Sequence, residues 1–149
     1  EPERLKFYKL LATNKDITLT ILRVTLGVVI FPHGAQKVLG AFGGYGFDGT
    51  MGFFTGQLGI PYILALLAII AEFFGSLGLI LGLFTRIAAF GIFCTMLAAT
   101  LIVHLPNGFF ADKGGYEFHI LTFGLAIPLI IKGAGSFSLD DVIAHKIEG

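Results

Sequence analysis

One cysteine, two methionines and no tryptophan occur in a chain of 149 residues, and only 13% of positions are charged. Cys94 stands alone within an apolar run, which excludes an intramolecular disulfide and a C-x-x-C redox pair and reads as a buried, inert thiol. Ten basic and ten acidic residues leave a formal net charge of zero, so nothing in the chain offers an electrostatic footprint for nucleic acid. Residues 1–16 hold no long apolar run and no small-residue cleavage site; they are expected not to be a signal peptide, leaving targeting to the first membrane helix. Fixed-period repeats and low-complexity segments are also missing.

Apolar residues are plentiful instead. They make up 55% of the chain, and a mean hydropathy of +0.86 is too high for a water-soluble domain of this length. The expectation is a single all-α integral membrane domain over residues 1–149, a bundle of four transmembrane helices at about 17–39, 61–84, 87–105 and 116–132. Short interfacial helices are expected before the first span, between the first and second, and at the C-terminus. In the second of these, Asp48 or Thr50 would cap a helix from Met51 to Leu58 that presses Phe53, Phe54 and Leu58 onto the bundle as a lid. At the C-terminus, Ser138 with Asp141 three residues on reads as a helix cap.

The first span is unusual for a lipid-facing anchor because it carries Arg23, Pro32, His33 and Lys37. At about 100° per residue, Arg23, Gly27, Ile30, Gly34 and Lys37 share one helical face, with His33 at its edge. Such a face must look at protein or water, since ionisable side chains are costly in hydrocarbon. The second span has one charge, Glu72, near its middle, bordered by a stripe of small residues at Ala71, Gly75, Gly78 and Gly82 that lets another helix approach. Arg86 marks a membrane boundary. His104 closes the third span, and the fourth must borrow Glu117 to His119 to reach across. Glu117 and His119 point about 160° apart, so only one of them faces the core.

Helical rise puts Arg23 roughly 9 Å, Glu72 roughly 16 Å and His33 roughly 24 Å from the terminal end of the bundle. An Arg23–Glu72 ion pair is therefore expected within the membrane, with His33, Lys37, His104 and Glu117 gathered toward the far side. Several chemistries remain open. Ion pairs at Arg23–Glu72 and Lys37–Glu117 that merely fix helix register would make the chain a non-catalytic scaffold. A quinone site needs a His or Lys donor to a ring oxygen, a carboxylate to exchange protons and an aromatic wall, and His33, Lys37, Glu72, His104, Glu117 and the phenylalanines supply these types. Haem would need His33 and His104 as paired axial ligands and has no c-type attachment motif beside them; metal lacks ligand spacing on any helix. Small-molecule or proton transport through the polar seam is the remaining alternative. No residue is assigned a catalytic role.

Arg23 with His33-Gly34 and Lys37, Gly59-Ile-Pro61, Glu72 with Gly75, Gly82-Leu-Phe-Thr-Arg86, Tyr116-Glu117 and Gly133-Ala-Gly-Ser-Phe-Ser-Leu-Asp140 together resemble the DoxX family of small four-helix membrane proteins. The resemblance implies a bacterial or archaeal inner-membrane protein related to subunits of a thiosulfate:quinone oxidoreductase and to membrane partners of thiol-stress and superoxide-detoxifying proteins. It implies protein partners in a redox complex and raises the quinone reading over haem or metal. Ala134 stands where relatives often have proline, which affects only the turn. The small-residue seams also suit a homo-oligomer. Arg4, Lys6, Lys9, Lys15, Arg86, Lys132 and Lys146 on the terminal side, against Lys37 and Lys113 opposite, put both termini in the cytoplasm by the positive-inside rule.

Overall fold

Asp16 starts the first long helix, where its carboxylate accepts a 2.8 Å bond from the Thr18 amide and satisfies one of the open donors of the first turn. A computed structural model describes all 149 residues, and every element in it is helical. In chain order the main helices are α1 (Pro2–Leu11), α2 (Ile17–Val38), α3 (Gly46–Gly52), α4 (Tyr62–Leu81), α5 (Thr85–Asn107), α6 (Glu117–Lys132) and α7 (Leu139–Glu148). Three of them, α2, α4 and α5, have 22, 20 and 23 residues and are long and apolar enough to cross a membrane. Helix α6 has 16 residues, about 24 Å of rise, and packs alongside them.

Helix α2 packs on α4 and α6, and α5 packs on the same two, so the four close a ring around Leu26, Ile30, Leu79, Ile92, Met96, Ala126 and Leu129. The polar face of α2 turns inward as its spacing requires: Arg23, Gly27, Ile30 and Gly34 are all buried. Two glycines set the approach of α2 to α4. A Cβ on Gly27 would lie 2.9 Å from the Ser76 carbonyl oxygen, and one on Gly34 would lie 2.6 Å from the Phe73 Cα. The stripe on α4 meets α5 more loosely, with Gly75 in ordinary contact with Ile92 at 3.5 Å. Cys94 is exposed, not buried, because it shares the outward face of α5 with Phe90, Leu97 and Leu101, away from Ile92 and Met96.

The expected Arg23–Glu72 pair does not form. Arg23 instead donates to five backbone carbonyls, those of Leu79, Ile80, Ala134, Ser136 and Phe137, at 2.8–3.1 Å. Its planar fork of donors matches the carbonyls that converge at the end of α4 and in the turn before α7, a set that one carboxylate cannot outbid. Asp140, also buried, accepts from the Phe84 and Thr85 amides at 2.6 and 2.8 Å and thereby caps α5. Burial pushes its carboxyl above the ordinary aspartate range, while the Thr85 and Phe84 amides and the nearby Arg23 charge draw it back. That cap goes with α4 stopping at Leu81, before the expected 84, and α5 starting at Thr85, ahead of the expected 87: Gly82 and Phe84 both turn left-handed, with φ of 69° and 51°. Arg86 reaches back to the carbonyls of Leu10 and Ala12 at 2.8 and 2.7 Å, tying α1 to the bundle. Ser138 caps α7 by accepting from the Asp141 amide, as its sequence pattern requires, and α7 packs on α1.

The segment between α2 and α4 also differs from expectation. Helix α3 begins at Gly46, without a side-chain cap from Asp48 or Thr50, and runs directly into a wide π-turn at Phe53–Gln57. Thr50 and Met51 are buried, and Met51 packs with Ala65 and Ile69 of α4, so the segment is pinned to the bundle.

Candidate functional site

Away from the Arg23 end, the helices contain three π-turns: Phe53–Gln57 after α3, Ala71–Gly75 inside α4 and Thr100–His104 inside α5. A π-turn admits an extra residue, widens the helix and re-aims the side chains it carries, and such turns concentrate at functional sites. All three border one cavity of about 440 Å³, which falls in the size range of small-molecule sites. Phe53 and Phe54 come from the first turn, Glu72 from the second and His104 from the third.

Close packing at Gly34 brings α2 flush against the turn that carries Glu72, and Lys37 sits one helical turn further on. Lys37 Nζ lies 2.7 Å from Glu72 Oε2, with the carboxylate side chain 6% exposed and the lysine 23%. Both line the cavity, as does His33, whose ring centroid is 5.9 Å from that of Phe118. On the opposite wall, His104 Nδ1 is 2.7 Å from the Gly114 carbonyl oxygen, and its ring lies 4.3 Å from that of His119, centroid to centroid. His119 is buried, and its Nδ1 has no hydrogen-bond partner in the protein. The rest of the wall is apolar: Leu58, Ile60, Met96, Ala99, Ile102 and Phe118 among others.

Four of the five expected polar residues thus meet at one cavity: His33, Lys37, Glu72 and His104. Glu117 does not join them. Its carboxylate accepts a 2.8 Å bond from the Ala111 amide, which turns it toward the loop before α6, where a negative charge also suits the first turn of that helix. The Lys37–Glu117 pair is consequently absent, and Lys37 serves Glu72 instead. His119 faces the core in its place, in register with Thr122, Ala126 and Leu129, the buried positions of α6. That spacing of three, four and three was the available signal for choosing His119. Nothing in the residue types announced the π-turns, which depend on how the helices pack.

The geometry offers an apolar, aromatic-walled space with a cation–carboxylate pair on one side and two imidazoles on the other. The DoxX family pattern matches residues 18–105, which cover α2, α4 and nearly all of α5 and include His33, Lys37, Glu72 and His104. The chain belongs to the DoxX family. His119 lies beyond the matched stretch. Among curated proteins, one from Bacillus subtilis (strain 168), named "Putative oxidoreductase CatD", is 30% identical over 128 residues, covering 86% of this chain and 88% of that protein. A second, from Haemophilus influenzae and named only as an uncharacterized protein, is 34% identical over 131 residues, covering 86% and 92%. No solved structure matches the chain significantly.

Proposed function

We propose that this DoxX protein is a multi-pass inner-membrane subunit or accessory protein of a quinone-linked oxidoreductase or oxidative-stress complex, and that its cavity takes the ring of a quinone. The observation that carries the reading is the cavity itself, where few polar groups converge within an otherwise apolar wall in the half of the bundle away from the termini. The name of the Bacillus subtilis relative supports an oxidoreductase connection. In this reading α6 completes a four-span bundle with cytoplasmic termini, and α1, α3 and α7 lie at the interfaces.

A quinone would supply two-electron, two-proton redox chemistry. The chain's own residues would hold and orient it: Lys37 as donor to a ring oxygen, Glu72 as the adjacent proton acceptor, His33 at the mouth, and Phe53, Phe54 and Phe118 against the ring face. With no cysteine pair and no cofactor-binding motif in its sequence, the chain is read as one component of a complex rather than as the whole enzyme. A second reading rests on the Lys37–Glu72 contact: at 2.7 Å the two charges satisfy each other and would serve α2–α4 register with no ligand.

Lipid extraction and mass spectrometry of protein purified in mild detergent separates the two. Wild type is expected to carry a quinone, reduced at least fivefold in His33→Ala and in Ala99→Phe, the latter filling the cavity while leaving every polar group in place. A quinone content equal in wild type and both variants, or none in wild type, sinks the quinone reading in favour of the register pair.

A further inference from the structure

The imidazoles on the far wall carry more information than the quinone reading uses. His104 Nδ1 lies 2.7 Å from the Gly114 carbonyl oxygen, and a carbonyl only accepts, so the proton sits on Nδ1 and the neutral ring presents an Nε2 lone pair. That Nε2 makes no hydrogen bond within the protein. Stacked 4.3 Å away, His119 lines the same cavity, is 6% exposed, and has its Nδ1 buried without a partner in the protein. With the Nδ1 proton committed to the Gly114 carbonyl, Nε2 is the position from which the His104 ring can accept a bond in the cavity it lines. A lone pair asks for a hydroxyl proton, whereas a bare carbonyl oxygen has none to give.

Access points the same way. Ile102 and Val103 line the cavity and are 47% and 37% exposed, on the side where α5 faces its surroundings. Closer to the middle of the bundle α4 and α5 are in tight contact, a Cβ on Gly91 falling 3.2 Å from that of Ala71. The exposed wall at Ile102 and Val103 is apolar helix surface, which suits a ligand that arrives dissolved in the bilayer.

We infer that the His104–His119 pair is the hydroxyl-binding end of this cavity, and that the site selects membrane-dissolved aromatic alcohols of the phenol and hydroquinone class over their ether counterparts. This rests on the reading of the cavity as an aromatic-ligand site and adds to it a hydroxyl-recognising end and a role for His119. His119 is a specificity-determining residue in this account, and the interaction involves a hydrogen bond only, with no electron transfer.

The test uses air-stable probes that isolate the hydroxyl: 1-naphthol against 1-methoxynaphthalene, with 1,4-naphthoquinone as a third ligand, each titrated into the full chain in lipid nanodiscs with empty nanodiscs as reference. Wild type should bind 1-naphthol about tenfold more tightly than the methyl ether, the worth of one well-placed hydrogen bond. The side-chain nitrogen signals of His104 and His119 in histidine-labelled protein should move with 1-naphthol and stay in place with the ether. His119→Phe and His104→Phe, which keep an aromatic ring, should each bring the preference to within about twofold. Equal affinity for 1-naphthol and its ether in wild type, or a preference kept in both variants, overturns the inference; if 1,4-naphthoquinone still binds, the cavity reading survives that failure. Absence of binding by all three ligands overturns both.

Discussion

Arg23→Met is expected to lower the stability of the purified protein by about 3–5 kcal/mol, read as a large fall in the thermal or denaturant midpoint in a fixed detergent. Methionine has comparable length and suits an apolar site, so the loss isolates the guanidinium. Its removal takes a donor from five carbonyls at the end of α4 and in the turn leading to α7, of which only those of Leu79 and Ser136 keep a second donor, the Gly82 amide and the Thr20 hydroxyl. It also leaves the buried Asp140 carboxylate short of a nearby positive charge. Each buried polar group left unpaired costs roughly 1–3 kcal/mol, and relaxation or water entry will recover part of the sum. Arg23→Lys should rescue little, because one ammonium has three donors and no fork to span two segments of backbone. A midpoint for Arg23→Met within a degree or two of wild type would show that the carbonyl cluster is satisfied some other way.

Gly34→Val should strike the cavity harder than the fold. Its Cβ would stand 2.6 Å from the Phe73 Cα and 2.7 Å from the Glu72 carbonyl carbon, both backbone atoms that no rotamer change can move. Helix α2 must then shift from α4, at a cost of about 1–3 kcal/mol as for other overpacked cores. The shift falls directly on the 2.7 Å contact between Lys37 and Glu72, one turn away from Gly34 on α2. Binding of aromatic ligands should drop at least tenfold while α2, α4, α5 and α6 stay folded by circular dichroism. Gly124→Ala provides the control: nothing lies within 4 Å of its Cβ, and replacing a mid-helix glycine by alanine should stabilise α6 by up to about 1 kcal/mol. Unchanged ligand binding in Gly34→Val would mean that the α2–α4 approach does not shape the site.

These two substitutions fall on features of different legibility. Period and hydropathy were enough to locate α2, α4, α5 and α6 within three residues, since their apolar faces follow helical spacing. The buried face of α2 was readable for the same reason, as was the gathering of His33, Lys37 and His104 toward the far side, whereas Glu72 was placed nearer Arg23 and joins them through Lys37. Partner choice was not. Depth alone made Arg23 and Glu72 look like a pair, because residue spacing cannot count free carbonyls at a helix end, and those carbonyls took the guanidinium. Glu117 was assigned to the cluster on charge and depth, yet the Ala111 amide, four residues beyond the end of α5 in its connection to α6, claimed it first. The choice between Glu117 and His119 turned on the orientation of α6, which the spacing of His119 with Thr122, Ala126 and Leu129 signals and packing against α5 and α2 fixes.

If an aromatic ligand from the bilayer occupies the space between the π-turns, photolabelling with an azido-quinone in native-lipid vesicles, followed by mapping of the modified peptides, will find it there. Labelling should be saturable, concentrated on the cavity wall at Phe53–Leu58 and Thr95–His104, and suppressed by excess unlabelled 1,4-naphthoquinone and in Ala99→Phe. Labelling that does not saturate and spreads over outward-facing positions such as Ile63, Leu67 and Leu121 would contradict that occupancy, leaving the cavity with no part in ligand binding.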